Sequence, residues 1–105
     1  MWVPKLGGAE KNVAEATQAF TDPRGRHFWD EGGRLMARYA KRLGISRDAW
    51  DVFFLYGPAA RWEGSEPPAP DFWMHQLASV DAAPRLDGKK FAAEALGRLR
   101  TAGVR

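Results

Sequence analysis

The sequence contains no cysteine. Within these residues that excludes disulfides, thiolate zinc sites, iron–sulfur clusters, a cysteine nucleophile and a redox dithiol. No apolar run approaches the roughly 20 residues that a bilayer span requires. The opening Met-Trp-Val-Pro-Lys-Leu-Gly-Gly has neither the charged head nor the apolar stretch of a secretory leader, so a cytoplasmic protein is the default expectation. A strong excess of one charge is also missing. Lys and Arg number 9 against 6 acids in residues 1–50, and 7 against 7 in residues 51–105. The densest basic patch, Arg85, Lys89, Lys90, Arg98, Arg100 and Arg105, is opposed by Asp87 and Glu94. It reads as a solvated helix face rather than a nucleic-acid surface.

What is present is the material of one small domain. The 105 residues are 45% apolar and 28% charged, the balance of a globular chain rather than a disordered one. Five Trp, six Phe and two Tyr supply bulky side chains for a core.

Trp2-Val3 is a short apolar stub ended by Pro4 and Gly7-Gly8. Val13, Ala16, Thr17 and Phe20 then recur at helical spacing over residues 10–20, and Asp22-Pro23 breaks the run. His27-Phe28-Trp29 reads as a short extended piece. Asp30 is placed to cap the next helix, with Glu31 in its first turn. That helix carries Leu35, Met36, Tyr39 and Leu43 on one face, and Gly44 is suited to a left-handed stop.

Val52-Phe53-Phe54-Leu55-Tyr56 is continuously apolar, as expected of a strand covered on both faces. Residues 57–70 hold four prolines and form a stiff connector. Residues 72–77 alternate as a second strand. After Pro84, Asp87 is placed to cap a closing helix that buries Phe91, Ala92, Ala95, Leu96 and Leu99, and Gly103 ends it. The order predicts an α/β fold. A strand covered on both faces needs neighbours on both edges, residues 71–77 supply one, and Trp2-Val3 is too short to supply the other.

Element order from Trp2 to the last helix resembles the C-terminal two-thirds of a thioredoxin-like domain of the TlpA/peroxiredoxin-like branch. Asp22-Pro23-Arg24-Gly25-Arg26-His27-Phe28-Trp29-Asp30, Ala49-Trp50-Asp51-Val52 and Phe72-Trp73-Met74-His75-Gln76-Leu77 are also similar to uncharacterised bacterial proteins described as thioredoxin-like. The resemblance implies one domain over residues 1–105, a mixed sheet flanked by helices that lacks the first strand and helix. The family's dithiol sits on that absent helix. Its cis-proline before the buried strand has no counterpart in Ser46-Arg47-Asp48-Ala49-Trp50.

No catalytic constellation emerges from the remaining residues. His27 and His75 lie 48 positions apart on separate strands, without metal-ligand spacing; each reads as a strand residue with a hydrogen-bonded ring. Ser46, Ser65 and Ser79 sit in connectors, none in a nucleophile elbow. Asp30-Glu31 reads as a helix start, and Gly7-Gly8 and Gly32-Gly33 as turns. No cofactor is expected.

Trp62 is harder to assign to a core, because Arg61, Glu63 and Gly64 beside it are polar or small. On a connector stiffened by Pro67, Pro68 and Pro70, Trp62 and Arg61 form a candidate partner anchor, since Trp and Arg are enriched at interface hot spots. The competing expectation is that Trp62 folds back over the end of the sheet. The functional expectation is a redox-inactive thioredoxin-like module that binds a protein through Trp62, Arg61, Pro67 and Pro68, or a remnant of a larger protein. The alternative is the C-terminal part of a thiol-disulfide oxidoreductase whose cysteine-bearing segment is missing. An open sheet edge further predicts marginal stability or self-association.

Overall fold

The computed structural model describes residues 1–19 and 21–103. Phe20 of the expected first helix and Arg105 of the basic patch lie outside them. Helix α1 (Val13–Ala16) is a single turn between 3-10 turns at Glu10–Asn12 and Thr17–Ala19. Its irregularity has local causes. The Asn12 side chain turns back to the Ala9 N–H, and the Thr17 hydroxyl donates to the Ala14 carbonyl at 2.8 Å.

Helix α2 (Arg34–Leu43) starts by an unusual route. Gly32 and Gly33 both take left-handed backbone, with φ of 67° and 70°, which swings the chain back over Asp30. The buried Asp30 carboxylate then accepts the Leu35 and Met36 N–H groups at 2.9 and 3.0 Å. Asp30 thus serves the first N–H groups of α2 from five and six residues away, but the cap position is Gly33, and Glu31 lies in a preceding 3-10 turn (Glu31–Gly33) rather than in the first turn of the helix. At the other end Gly44, with φ of 70°, closes the helix, and the Ile45 N–H returns to the Ala40 carbonyl.

Strands β1 (Val52–Leu55) and β2 (Phe72–His75) pair antiparallel, Val52 opposite His75 and Leu55 opposite Phe72. Paired residues share a face, so Val52, Phe54, Trp73 and His75 look one way and Phe53, Leu55, Phe72 and Met74 the other. The first face meets α2, where Tyr39 lies 4.6 Å from Phe54 between ring centroids. The second meets α3 (Gly88–Thr101), whose Phe91 lies 6.4 Å from Phe53 and 6.0 Å from Phe72. A strand with apolar residues on both faces therefore has a helix on each side, as its sequence predicts. Asp87 caps α3 through the Lys89 and Lys90 N–H groups, and Gly103 follows its end with φ of 74°.

Two expectations need correction. The named strands form an antiparallel pair rather than a mixed sheet; parallel pairing is confined to single bridges, Trp2 with Trp29 and His75 with Arg85. The stub at Trp2 therefore joins His27-Phe28-Trp29 and not β1. The closing helix also buries less than its pattern implies. Phe91 and Ala95 are half-buried, but Ala92, Leu96 and Leu99 are exposed. Two strands span only about 10 Å, too narrow a floor for the whole apolar face of α3, so its Leu96 and Leu99 side is left uncovered.

Among the described residues the buried apolar side chains include Met36, Ala49, Met74 and Leu77. Met74 and Leu77 lie around His75, whose ring is completely buried and fully bonded. Its Nδ1 accepts the Leu77 N–H at 3.0 Å, and its Nε2 lies 2.9 Å from the Ala83 carbonyl. An Nδ1 that accepts carries no proton, so the proton is on Nε2. His75 pins the segment 83–86 to the outer edge of β2, with the Leu86 N–H on its own carbonyl at 2.8 Å.

Candidate functional site

The connector between the strands is held tightly although it carries no secondary structure beyond one bridge. The Arg42 Nε donates to the Pro67 carbonyl at 2.9 Å, and the Arg38 guanidinium to the Ser65 carbonyl. Tyr56, just past β1, donates its hydroxyl to the Pro68 carbonyl at 2.9 Å and lies 2.6 Å from the Tyr39 hydroxyl. The Asp71 carboxylate accepts the Gly57 N–H and holds the two ends together. Burial first, and then the Tyr39 hydrogen bond, push the Tyr56 hydroxyl well above the ordinary tyrosine range. Tyr39, Arg38 and Arg42 stand on neighbouring turns of α2, so one helix fastens the middle of the loop.

This fastening determines where the expected partner residues lie. Pro67 is fully buried, and Pro68 is half-buried beneath the two tyrosines. Both serve to fix the loop and offer little outer surface. Residues 61–66 are all exposed. They reverse direction at Gly64, φ 60°, through a bridge between Glu63 and Glu66. Arg61 bonds the Pro58 and Ala60 carbonyls of its own turn.

Trp62 is turned back against α2 and is at the same time half-exposed. Its indole N–H is satisfied by the Gly64 carbonyl at 2.9 Å, and its ring stands edge-on to Tyr39 at 6.4 Å. It remains 50% exposed. It folds back onto α2 while keeping an open flank.

Behind Trp62 lies a hollow of about 310 Å³ between α2 and β1. Val3, Met36, Trp50, Val52 and Phe54 are among its apolar lining, with Tyr39 and Asp51 the polar residues beside them. A small apolar cleft with few polar groups suits the side chain of a partner better than a reaction. Among the described residues no three His, Asp or Glu side chains converge as a metal site would need. Nor is any helix among them long and apolar enough to cross a membrane.

The tyrosine pair and the two arginines were not recognised in the sequence. Tyr39 reads there only as part of the apolar face, and Arg38 and Arg42 match no motif. The usable signal was their spacing, i, i+1 and i+4 on the flank of the apolar stripe, opposite a proline-rich segment whose carbonyls have no ladder of their own.

Fold and site together define a small cysteine-free α/β domain with helices on both faces of a two-stranded sheet. Comparison with protein-family models, with curated proteins and with solved structures gave no match to the chain.

Proposed function

We propose that the chain is a thioredoxin-like module without dithiol chemistry of its own, and that it acts by binding a protein partner through the turn at residues 61–66. The observation that carries the reading is a half-exposed Trp62 on a turn clamped to α2 by Arg38, Arg42 and the Tyr39–Tyr56 pair. An exposed indole on a mobile loop would lose much of its binding energy to ordering. One already held in place avoids that cost. Arg61 and Glu63 are exposed on either side of the indole and supply polar contacts around it.

The test is retention of proteins by the tagged chain in its own cells, compared among wild type, Trp62→Ala and Phe28→Ala. Phe28 is another exposed aromatic, at 60%, away from the turn. One partner held in near-equimolar amount by wild type and Phe28→Ala, and at least tenfold less by Trp62→Ala, supports the proposal. Equal retention by all three, or none by any, contradicts it.

A further inference from the structure

We infer that a second copy of this chain pairs antiparallel with the open edge of β1, making a four-stranded sheet about a two-fold axis. This surface adjoins the Trp62 turn, which borders the same hollow between α2 and β1, but the inference rests on the strand edge and does not depend on the reading of that turn.

The backbone supplies the first part of the argument. The Gln76 N–H bonds the Asp51 carbonyl, and the Asp71 N–H bonds the Leu55 carbonyl. With the register of β1 against β2, this directs the polar groups of residues 51, 53 and 55 toward β2. The N–H and C=O groups of Val52 and Phe54 therefore point to the other side, where the described residues include no third strand. The edge is short, at four residues, but Val-Phe-Phe-Leu has no lysine, no proline and no bulge.

Both helices leave apolar space beside that edge. On the α2 side is the hollow walled by Val52 and Phe54. On the α3 side a second one, about 430 Å³, is lined by Leu55, Tyr56, Pro58, Ala95 and Leu99. Leu96 and Leu99 on α3 are 52% and 46% exposed. A strand entering between these hollows must be apolar on both faces, because its side chains alternate between them. β1 is itself such a strand, whereas β2 ends in the buried, fully bonded His75.

Area gives the third part. The chain exposes 7813 Å², about 1,900 Å² more than the roughly 5,900 Å² that size scaling assigns to a folded monomer of 11.7 kDa. A stable interface takes about 800 Å² from each partner, well within that excess.

A two-fold normal to the sheet pairs residues of the same face, and of the registers it allows, the one centred on Phe54 keeps Asp51 out of the pairing and matches apolar residues 52–56 throughout. Phe54 lies opposite Phe54 of the second copy, Val52 opposite its Tyr56, and Phe53 opposite its Leu55. No like charges are brought face to face.

The test is the mass of the full chain in solution by sedimentation equilibrium near 0.1 mM, for wild type and Leu99→Glu. The substituted position is exposed, so the monomer keeps its fold. Wild type is expected at twice 11.7 kDa, with dissociation at least tenfold easier for Leu99→Glu. A spin label on Gln76→Cys, unique in a cysteine-free chain, reads the register. In the paired sheet the two labels lie about 25 Å apart, from a strand spacing near 4.8 Å and a rise near 3.4 Å per residue. A monomeric wild type, a dimer indifferent to Leu99→Glu, or a label distance far from that value overturns the inference. So does purification from its own cells with β1 covered by a different polypeptide.

Discussion

Tyr39 donates its hydroxyl proton to Tyr56, 2.6 Å away, because Tyr56 commits its own proton to the Pro68 carbonyl. This two-step relay ties α2, the end of β1 and the proline connector into one unit. It also makes the connector sensitive to alkali.

With its proton held above the ordinary tyrosine pKa, Tyr56 ionises more easily in the unfolded chain than in the folded one. The stability it contributes is complete below the ordinary value of about 10 and declines as the pH rises through it toward the raised one. Urea midpoints should therefore fall from pH 9.5 to 11.5 in wild type and fall less in Tyr56→Phe. At pH 7 the same substitution should cost about 0.5–1.5 kcal/mol. Parallel pH profiles for the two proteins would contradict the relay.

The start of α2 depends on one carboxylate and one glycine. Asp30→Ala strips the acceptor from the Leu35 and Met36 N–H groups and should destabilise by about 1–3 kcal/mol. Gly33→Ala places a methyl group 2.6 Å from the Met36 Cε, at a φ of 70°, and should cost about 1–2 kcal/mol from the backbone conformation alone. Gly32 is equally left-handed but faces open space, so Gly32→Ala should be the milder of the two. Thermal melts of the three variants check the ranking.

His75 should show two distinct ring nitrogens in 15N spectra of the folded protein, with Nδ1 unprotonated and Nε2 carrying the proton. Averaged nitrogens would mean that the ring is not held as described. His75→Leu leaves the Leu77 N–H and the Ala83 carbonyl without their buried partner and should lower stability by about 2–4 kcal/mol in denaturant unfolding.

Much of this fold can be read from residue order. Asp30, Gly44 and Asp87 mark helix ends by their own chemistry, and the unbroken Val52–Leu55 run announces a strand covered on both faces. Periodicity also identified the inner face of α2, because Leu35, Met36 and Tyr39 find a sheet to cover. It misjudged α3, since burying Leu96 and Leu99 needs a surface that two strands do not provide. The site was legible only at Trp62. The burial of Pro67 follows from Arg38 and Arg42 reaching across to main-chain carbonyls about 25 residues away, and side-chain-to-backbone bonds of that kind leave no pattern in a sequence.

Partner binding at residues 61–66 is tested most directly by a photo-crosslinking side chain in place of Arg61, activated in living cells. The account predicts one discrete adduct with another protein, different in mass from two crosslinked copies of this chain and absent when Trp62→Ala is combined with it. Absence of any adduct, or an adduct that persists with Trp62→Ala, would contradict the account.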